Sequence, residues 1–321
     1  MLHCSPILLY GFTNFYGAKL SILVVGSVAL DSVETPYGKV DDAIGGSATY
    51  FSASASYFSP VNLVAVVGTD YPMQEIEFLK SRKVDFTGLQ VENGETFRWA
   101  GRYNYDLNQR DTIYTHLNVF QNFKPIIPDK YKDAQFVFLG NIAPELQFSV
   151  LEQVHSPKMI ALDTMNFWIE GSQKALRKVL ERVDIFILND AEARQLAHQT
   201  NLIKAAKTIF EMGPKIIVIK KGEYGAALLT KDSHFVVPAY PLEEVYDPTG
   251  AGDTFAGGFV GYLAKTGDLN DANLKRAVVY GSAMASFCVQ DFSLNALKNL
   301  TTEQIHERVL SFKSLSHFDE Q

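Results

Sequence analysis

The chain has 321 residues, 47% of them hydrophobic and 20% charged, with a formal net charge of −7. That is enough apolar material for one large folded domain, and the charge balance argues against a disordered chain. With 29 Lys and Arg against 36 Asp and Glu, and no basic stripe, nothing points to a nucleic-acid binder, although a local basic pocket for a phosphate remains compatible with the composition.

Residues 1–20 carry no early cluster of basic residues, and Pro6, Gly11 and Gly17 interrupt their apolar run. They fit neither a secretory signal nor a membrane span and are expected to be a disordered extension. The folded domain is expected over 21–321. No later segment reaches ~18 uninterrupted apolar residues, so a cytoplasmic protein that engages no membrane is expected. Cys4 and Cys288 give no disulfide framework, which fits a reducing compartment, and both read as small hydrophobes.

In chain order, Ser21–Val28 and 61–68 are short Val- and Ile-rich runs that predict buried strands. Between them 45–58 is rich in small residues behind a glycine pair and predicts a tightly packed helix. Residues 73–81 look helical. The stretch 86–118 alternates β-branched and aromatic residues with polar ones, which predicts antiparallel strands with one exposed face. Together with 33–42 it is expected to form a small β lid. Apolar strands then recur at 135–140, 159–163, 184–189 and 215–220, separated by amphipathic helices at about 145–154, 172–182, 191–199 and 202–212. A hairpin over 225–230 and 234–239 and helices at 254–265, 273–288 and 302–314 complete the chain. Alternation of strand and helix predicts a doubly wound α/β fold with a mostly parallel sheet and helices on both faces.

The most informative segment is Asp247-Pro248-Thr249-Gly250-Ala251-Gly252-Asp253, which runs straight into the apolar helix expected at 254–265. A helix N-terminus exposes unpaired backbone N–H groups and a partial positive charge, and glycines let these approach an anion closely. No Gly-Lys-Ser/Thr follows, so this is not a Walker A loop. An acid at the edge of a phosphate cradle is repulsive unless it has a task. Phosphoryl transfer to an alcohol supplies one, acceptance of the hydroxyl proton. Asp253 read alone, on a bare Gly-Asp turn, reads as a helix N-cap rather than a base.

The segment resembles the C-terminal signature of the ribokinase, or PfkB-type carbohydrate kinase, family, matching at Asp247, Thr249, Gly250, Ala251, Gly252 and Asp253. The resemblance runs along nearly the whole chain from residue 21. It implies an ATP- and Mg²⁺-dependent kinase of ribokinase-like fold. Asp253 would be the catalytic base, and Gly250, Ala251 and Gly252 the anion hole. Asp31, after the first strand, would bind substrate hydroxyls. Gly45 and Gly46 would flank the substrate and hinge the lid. Asp163-Thr164-Met165-Asn166 is similar to a substrate-side segment of the family, but the family's Arg is replaced by Phe167 and Trp168. Asn189 with Glu192 resembles the family's Asn-x-x-Glu motif, Glu192 organising Mg²⁺ through water; the same tetrad is a helix capping box. Lys220, Gly222 and Gly225 match a turn beside the nucleotide, and equally a plain hairpin turn. Ser282 and Thr249 would lie near the nucleotide, and Asp247 near a monovalent cation such as K⁺.

In the expected lid, Arg98, Arg102 and Arg110 could meet a phosphorylated substrate or simply face solvent; Arg98 is taken as a substrate-binding candidate. A dinucleotide-binding oxidoreductase would need Gly-x-Gly-x-x-Gly after the first strand, and Gly26-Ser27-Val28-Ala29-Leu30-Asp31 lacks it. A non-catalytic sugar or nucleotide regulator of the same fold is the alternative reading. The acceptor is a small molecule: a sugar, polyol or nucleoside. Family lids often pair, which implies a homodimer through the β lid.

Overall fold

The computed structural model describes residues 20–317. The expected extension at 1–20, with Cys4, therefore lies almost wholly outside the described residues. The strands are β1 Ile22–Val25, β2 Ala29–Thr35, β3 Gly38–Gly45, β4 Val61–Gly68, β5 Val84–Glu92, β6 Phe97–Tyr103, β7 Arg110–His116, β8 Phe136–Leu139, β9 Met159–Asp163, β10 Ile185–Asn189, β11 Ile216–Lys220, β12 Ala226–Leu229 and β13 His234–Val237. The helices are α1 Ser47–Ala55, α2 Glu77–Ser81, α3 Pro144–Leu151, α4 Asn166–Gly171, α5 Gln173–Leu180, α6 Asp190–Ala197, α7 Leu202–Phe210, α8 Ala251–Thr266, α9 Asp271–Cys288, α10 Asn295–Lys298 and α11 Thr302–Ser316. No helix among the described residues is long and apolar enough to cross a membrane.

Nine strands form the large sheet in the order β13-β12-β11-β10-β9-β8-β1-β4-β5. The strands from β11 through β5 pair in parallel, and β12 and β13 close one edge antiparallel. Apolar runs without alternation are what a sheet covered on both faces requires. Along β1, Ile22 and Val24 enter one core with α1, α8 and α9, while Leu23 and Val25 enter the other with α3, α5, α6 and α7. The order reverses at β1, whose neighbours are β4 and β8. In open α/β sheets a ligand crevice forms at the strand C-terminal ends beside such a reversal.

The small sheet has the order β3-β2-β6-β7. Its bounds differ from the expected lid. Residues 86–92 belong to β5, which pairs in parallel with β4 at the edge of the large sheet. Alternation reports a half-buried strand, and an edge strand of either sheet is half-buried, so the pattern alone could not assign it. The lid also begins earlier than expected, at Ala29, and includes Asp31. The short helix α4 adds to the expected elements.

α1 packs closely against α8 because Gly257 and Gly261 meet the α1 backbone at Phe51 and Ala55. Phe51 stacks on Phe138 of β8, with centroids 4.2 Å apart and planes 7° from parallel. Both rings are fully buried. Phe51→Ala is expected to lower stability by about 3–5 kcal/mol, through lost burial and the cavity left behind. The shift of the urea unfolding midpoint measures this.

Candidate active site

The C-terminal ends of β1, β9, β10 and β11 open onto the N-terminus of α8, and the inner face of the small sheet covers the resulting cleft. Gly250 is the N-cap of α8, in the left-handed region at φ 75°, and no side chain caps the helix. Its Cα lies against the Tyr50 ring from α1, where a Cβ would stand 2.4 Å from ring carbons. Asp253 sits in the first turn of α8 but does not act as its N-cap. The Ala251 N–H turns back to the Pro248 carbonyl at 3.2 Å, and the Gly252 N–H is left for another partner.

Asp247 holds the preceding turn. Its carboxylate accepts from the Thr249 N–H at 2.8 Å and from the Ser293 N–H at 3.4 Å. Burial raises its pKa.

At the end of β9, Asp163 pairs with Lys220 from the end of β11, 3.1 Å away and with both side chains largely buried. Asn189 and Glu192 form a reciprocal capping box at the start of α6, with bonds of 2.8 and 2.7 Å. The cap reading of this tetrad is thus realised, and it leaves Glu192 buried beside the Asp163–Lys220 pair. Burial raises the pKa of Glu192, and the charge of Asp163 adds to this. Asp253 is raised for the same two reasons, while Lys220 and Arg110 pull it down. Burial opposes the charge of Lys220, but Asp163, Glu192 and Asp253 around it outweigh that and raise its pKa.

Asp31, on β2, approaches the same region from the lid. It is 6% exposed, and burial pushes its carboxyl up to about 7, with Asp247 and Asp253 adding repulsion. Gly45 makes room for it: a Cβ there would stand 1.9 Å from Asp31 Oδ2. Gly46, at φ 93°, turns the chain into α1, and its N–H steadies the Asp31 carboxylate.

The lid register decides which side chains enter the cleft. Asp31 lies beside Trp99, and Tyr103 lies opposite Arg110. Side chains on a strand alternate between faces, so Trp99, Gly101, Tyr103 and Arg110 share the inner face. The Tyr103 hydroxyl lies 3.3 Å from Thr249 Oγ1. Arg98, one position out of phase, pairs instead with Asp42 at 3.2 Å and Asp70 at 2.8 Å, and Arg102 pairs with Glu34. The structure therefore ties Arg98 to acids outside the cleft and sets the exposed Arg110 beside Tyr103 and over the Trp99 ring.

The remaining expected residues are more scattered. Gly222 and Gly225 form the turn after β11, at φ 55° and 86°. Asn166 is exposed at the start of α4. Ser282 is buried on α9 and has no side-chain hydrogen bond among the described residues. Asn141, not among the expected site residues, accepts from Trp168 Nε1 at 3.0 Å. It follows directly after the β8 strand and Gly140, so its place past a parallel strand's C-terminal end was the available signal.

A phosphate and a hard cation fit this cleft. Lys220 Nζ stands 2.9 Å from where a Cβ on Gly252 would be, so a cation lies against the uncapped helix N-terminus. Carboxylate oxygens of Glu192, Asp163 and Asp253 surround it. No three such groups converge to cage an ion among the described residues. That donor set suits Mg²⁺, which keeps several waters and takes one or two carboxylates beside phosphate oxygens.

Residues 19–300 match the family model described as pfkB family carbohydrate kinase. The chain belongs to the pfkB family. Among curated relatives, the cytidine kinase of Thermococcus kodakarensis is 33% identical over 249 residues, 75% of this chain and 87% of that one. Among solved structures, the nucleoside kinase of Methanocaldococcus jannaschii aligns with a TM-score of 0.73 at 21% identity, over 92% of this chain and 100% of that one. A putative ribokinase II of E. coli in complex with ATP and Mg²⁺ aligns with a TM-score of 0.71 at 20% identity, over 92% and 99% of the two chains. This pfkB-family enzyme is a kinase, and its fold is ribokinase-like.

Because the Asp31 carboxyl is raised, its ionisation in the folded state opposes stability as pH rises from its unfolded value near 4 up to about 7. Asp31→Asn removes that cost. The variant is expected to be more stable than the parent at pH 8 by on the order of 1–3 kcal/mol, the gain shrinking as pH falls toward 4. Thermal unfolding at the two pH values checks the sign.

Proposed function

We propose that the protein transfers the γ-phosphoryl group of ATP to an alcohol of a sugar, polyol or nucleoside, with Asp253 as general base. The observation that carries this reading is the placement of Asp253. Its carboxylate stands in the first turn of an uncapped helix N-terminus, beside Lys220 and within the field of Asp31 on the lid. Similarity to a cytidine kinase supports a nucleoside as the acceptor within that class.

Asp31 binds acceptor hydroxyls. Its raised pKa makes it a ready hydrogen-bond partner in either protonation state. Asp253, once ionised, accepts the proton of the reacting hydroxyl. The N–H groups of Gly250 and Gly252 in the turn that opens α8, with the Lys220 ammonium, offset the charge on the transferring oxygens. Glu192 would hold Mg²⁺ through water, and the turn at Gly222 and Gly225, with Thr249 and Ser282, would line the nucleotide side. Bound ATP and Mg²⁺ supply the phosphoryl group and the screening of its oxygens. Closure of the lid excludes water from the reacting group. Asp247, already holding the turn that opens α8, is the residue through which a monovalent cation such as K⁺ would support that turn. Tyr37, Ile113 and Leu117, exposed on and beside the lid, support pairing of two lids in a homodimer.

Turnover is expected with Mg²⁺ and ATP on one member of a panel of sugars, polyols and nucleosides. In Asp253→Asn, kcat is expected to fall by about 10²–10⁴, the usual contribution of general base catalysis. Binding of ATP without turnover on any acceptor favours a regulatory role, and absence of ATP binding sinks the proposal.

The pH dependence tests the surroundings of Asp253. The acid limb of kcat/KM, where the base loses its proton, is expected well above the ordinary carboxylate range. The Lys220 charge favours the ionised carboxylate, so Lys220→Met is expected to move that limb to still higher pH. A limb that stays in place or moves down contradicts the assignment.

A further inference from the structure

The lid touches the far side of the cleft at the tips of both its hairpins. At the β6–β7 tip, Asn108 Nδ2 donates to Glu223 Oε1 at 3.1 Å, and Asn108 Oδ1 occupies the space a Cβ on Gly222 would need. At the β2–β3 tip, the partner is the segment that leads into α8. Thr35 Oγ1 donates to the Tyr246 carbonyl at 2.8 Å and accepts from the Tyr37 N–H at 3.1 Å. The rings of Tyr37 and Tyr246 have centroids 5.3 Å apart. On the returning strand β3, the Ile44 carbonyl accepts from Ser293 Oγ at 2.5 Å.

These contacts fall on a chain of bonded groups that ends at the phosphate side of the cleft. The Tyr246 N–H donates to the Val289 carbonyl at 2.8 Å, just past α9. Asp247 comes next, and its carboxylate accepts from the N–H groups of Thr249 and Ser293. Thr249 then precedes Gly250, the N-cap of α8. At the other end of the chain, Thr35 closes the same strand, β2, that carries Asp31. That strand lies inside the small sheet, and its pairing with β6 is continuous from Ala29 to Glu34. A β-branched residue at this buried strand end needs no hydroxyl to fill its space, and valine would fit as well. What the hydroxyl adds is a bond from the Asp31 strand to the segment that opens α8. Bonded, rigid elements of this kind are one physical route by which two sites couple.

We propose that Thr35 is a positioning residue that couples acceptor binding at Asp31 to the setting of the turn that opens α8. It rests on the kinase reading. With the lid docked, the Thr35 hydroxyl fixes the Tyr246 peptide. Through Asp247 and Thr249 this places the Gly250 and Gly252 N–H groups for the phosphoryl oxygens. Ser293 makes a second tie of the same kind, to β3. Thr35 itself touches neither acceptor nor nucleotide, and no bond forms or breaks at it. Acceptor and nucleotide therefore bind cooperatively, each tightening the other by the same factor.

The test compares wild type, Thr35→Val and Thr35→Ser. Binding is measured with Mg²⁺ and β,γ-imido-ATP, and turnover with MgATP, each with the acceptor on which wild type turns over. In wild type, saturating acceptor is expected to tighten binding of β,γ-imido-ATP. In Thr35→Val that tightening is expected to shrink by about three- to tenfold, the size of one net hydrogen bond, and kcat to fall with it. The acceptor is expected to bind Thr35→Val as tightly as wild type when no nucleotide is present. Thr35→Ser keeps the hydroxyl and is expected to retain most of the coupling and of kcat. A residue that only supports the lid lowers the unfolding temperature and the acceptor affinity and leaves the coupling as it was. Should Thr35→Val misfold, Ser293→Ala removes the tie to β3 and is expected to weaken the coupling in the same direction. Wild-type coupling and kcat in Thr35→Val, a Thr35→Ser as impaired as Thr35→Val, or no coupling in wild type overturns the inference. Absence of wild-type turnover on every acceptor instead removes the kinase reading, and this inference with it.

Discussion

The structure depends on how four carboxylates are tolerated in one cleft. Asp31, Asp163, Glu192 and Asp253 are brought together by four different elements, and burial together with mutual repulsion raises the pKa of Asp31, Glu192 and Asp253. Lys220 offsets part of this from the end of β11, and the uncapped N-terminus of α8 adds partial positive charge. What remains is a site in which Asp31, Glu192 and Asp253 ionise less readily than ordinary carboxylates, while Asp163 is held by Lys220. Such an arrangement opposes stability, and strained or repulsive groupings of this kind persist where function needs them.

Close packing of α1 against α8 sets the geometry of that cleft. Glycines on α8 meet the α1 backbone directly, which brings the Gly45–Gly46 turn that leads into α1 beside the Gly250 turn that leads into α8. Gly46 and Gly250 both take positive φ values that only glycine adopts freely. Tyr50 of α1 then lies over Gly250 and fills the space a side chain would take. The acceptor side and the phosphate side of the site are thereby built from the starts of two adjacent helices on one face of the sheet.

The lid contributes through register. A shift of one residue along β6 exchanges its two faces. As paired, Trp99 and Tyr103 look into the cleft, while Arg98 and Arg102 pair with acids elsewhere on the lid and its base. The Asp42–Arg98–Asp70 cluster joins the lid strand β3, the lid strand β6 and the loop after β4, so it fixes the lid to the large sheet. The opposite face carries the chemistry.

Much of this was legible in the chain alone. Unbroken apolar runs named β1, β4, β8, β9, β10 and β11, because strands buried on both faces cannot alternate. The segment from Asp247 to Asp253 marked the helix N-terminus and its acid, because that chemistry depends on contiguous residues. The capping box at Asn189 and Glu192 was also local, and its place beside a buried ion pair was not. Tertiary structure decided the matters that depend on distant partners. It assigned β5 to the large sheet, separated Arg98 from Arg110, and set Asn108 against Gly222. Alternation shows that one face of a strand is buried, but the pairing that chooses the face, the sheet and the partner is formed between residues far apart in the chain. No local pattern encodes that pairing.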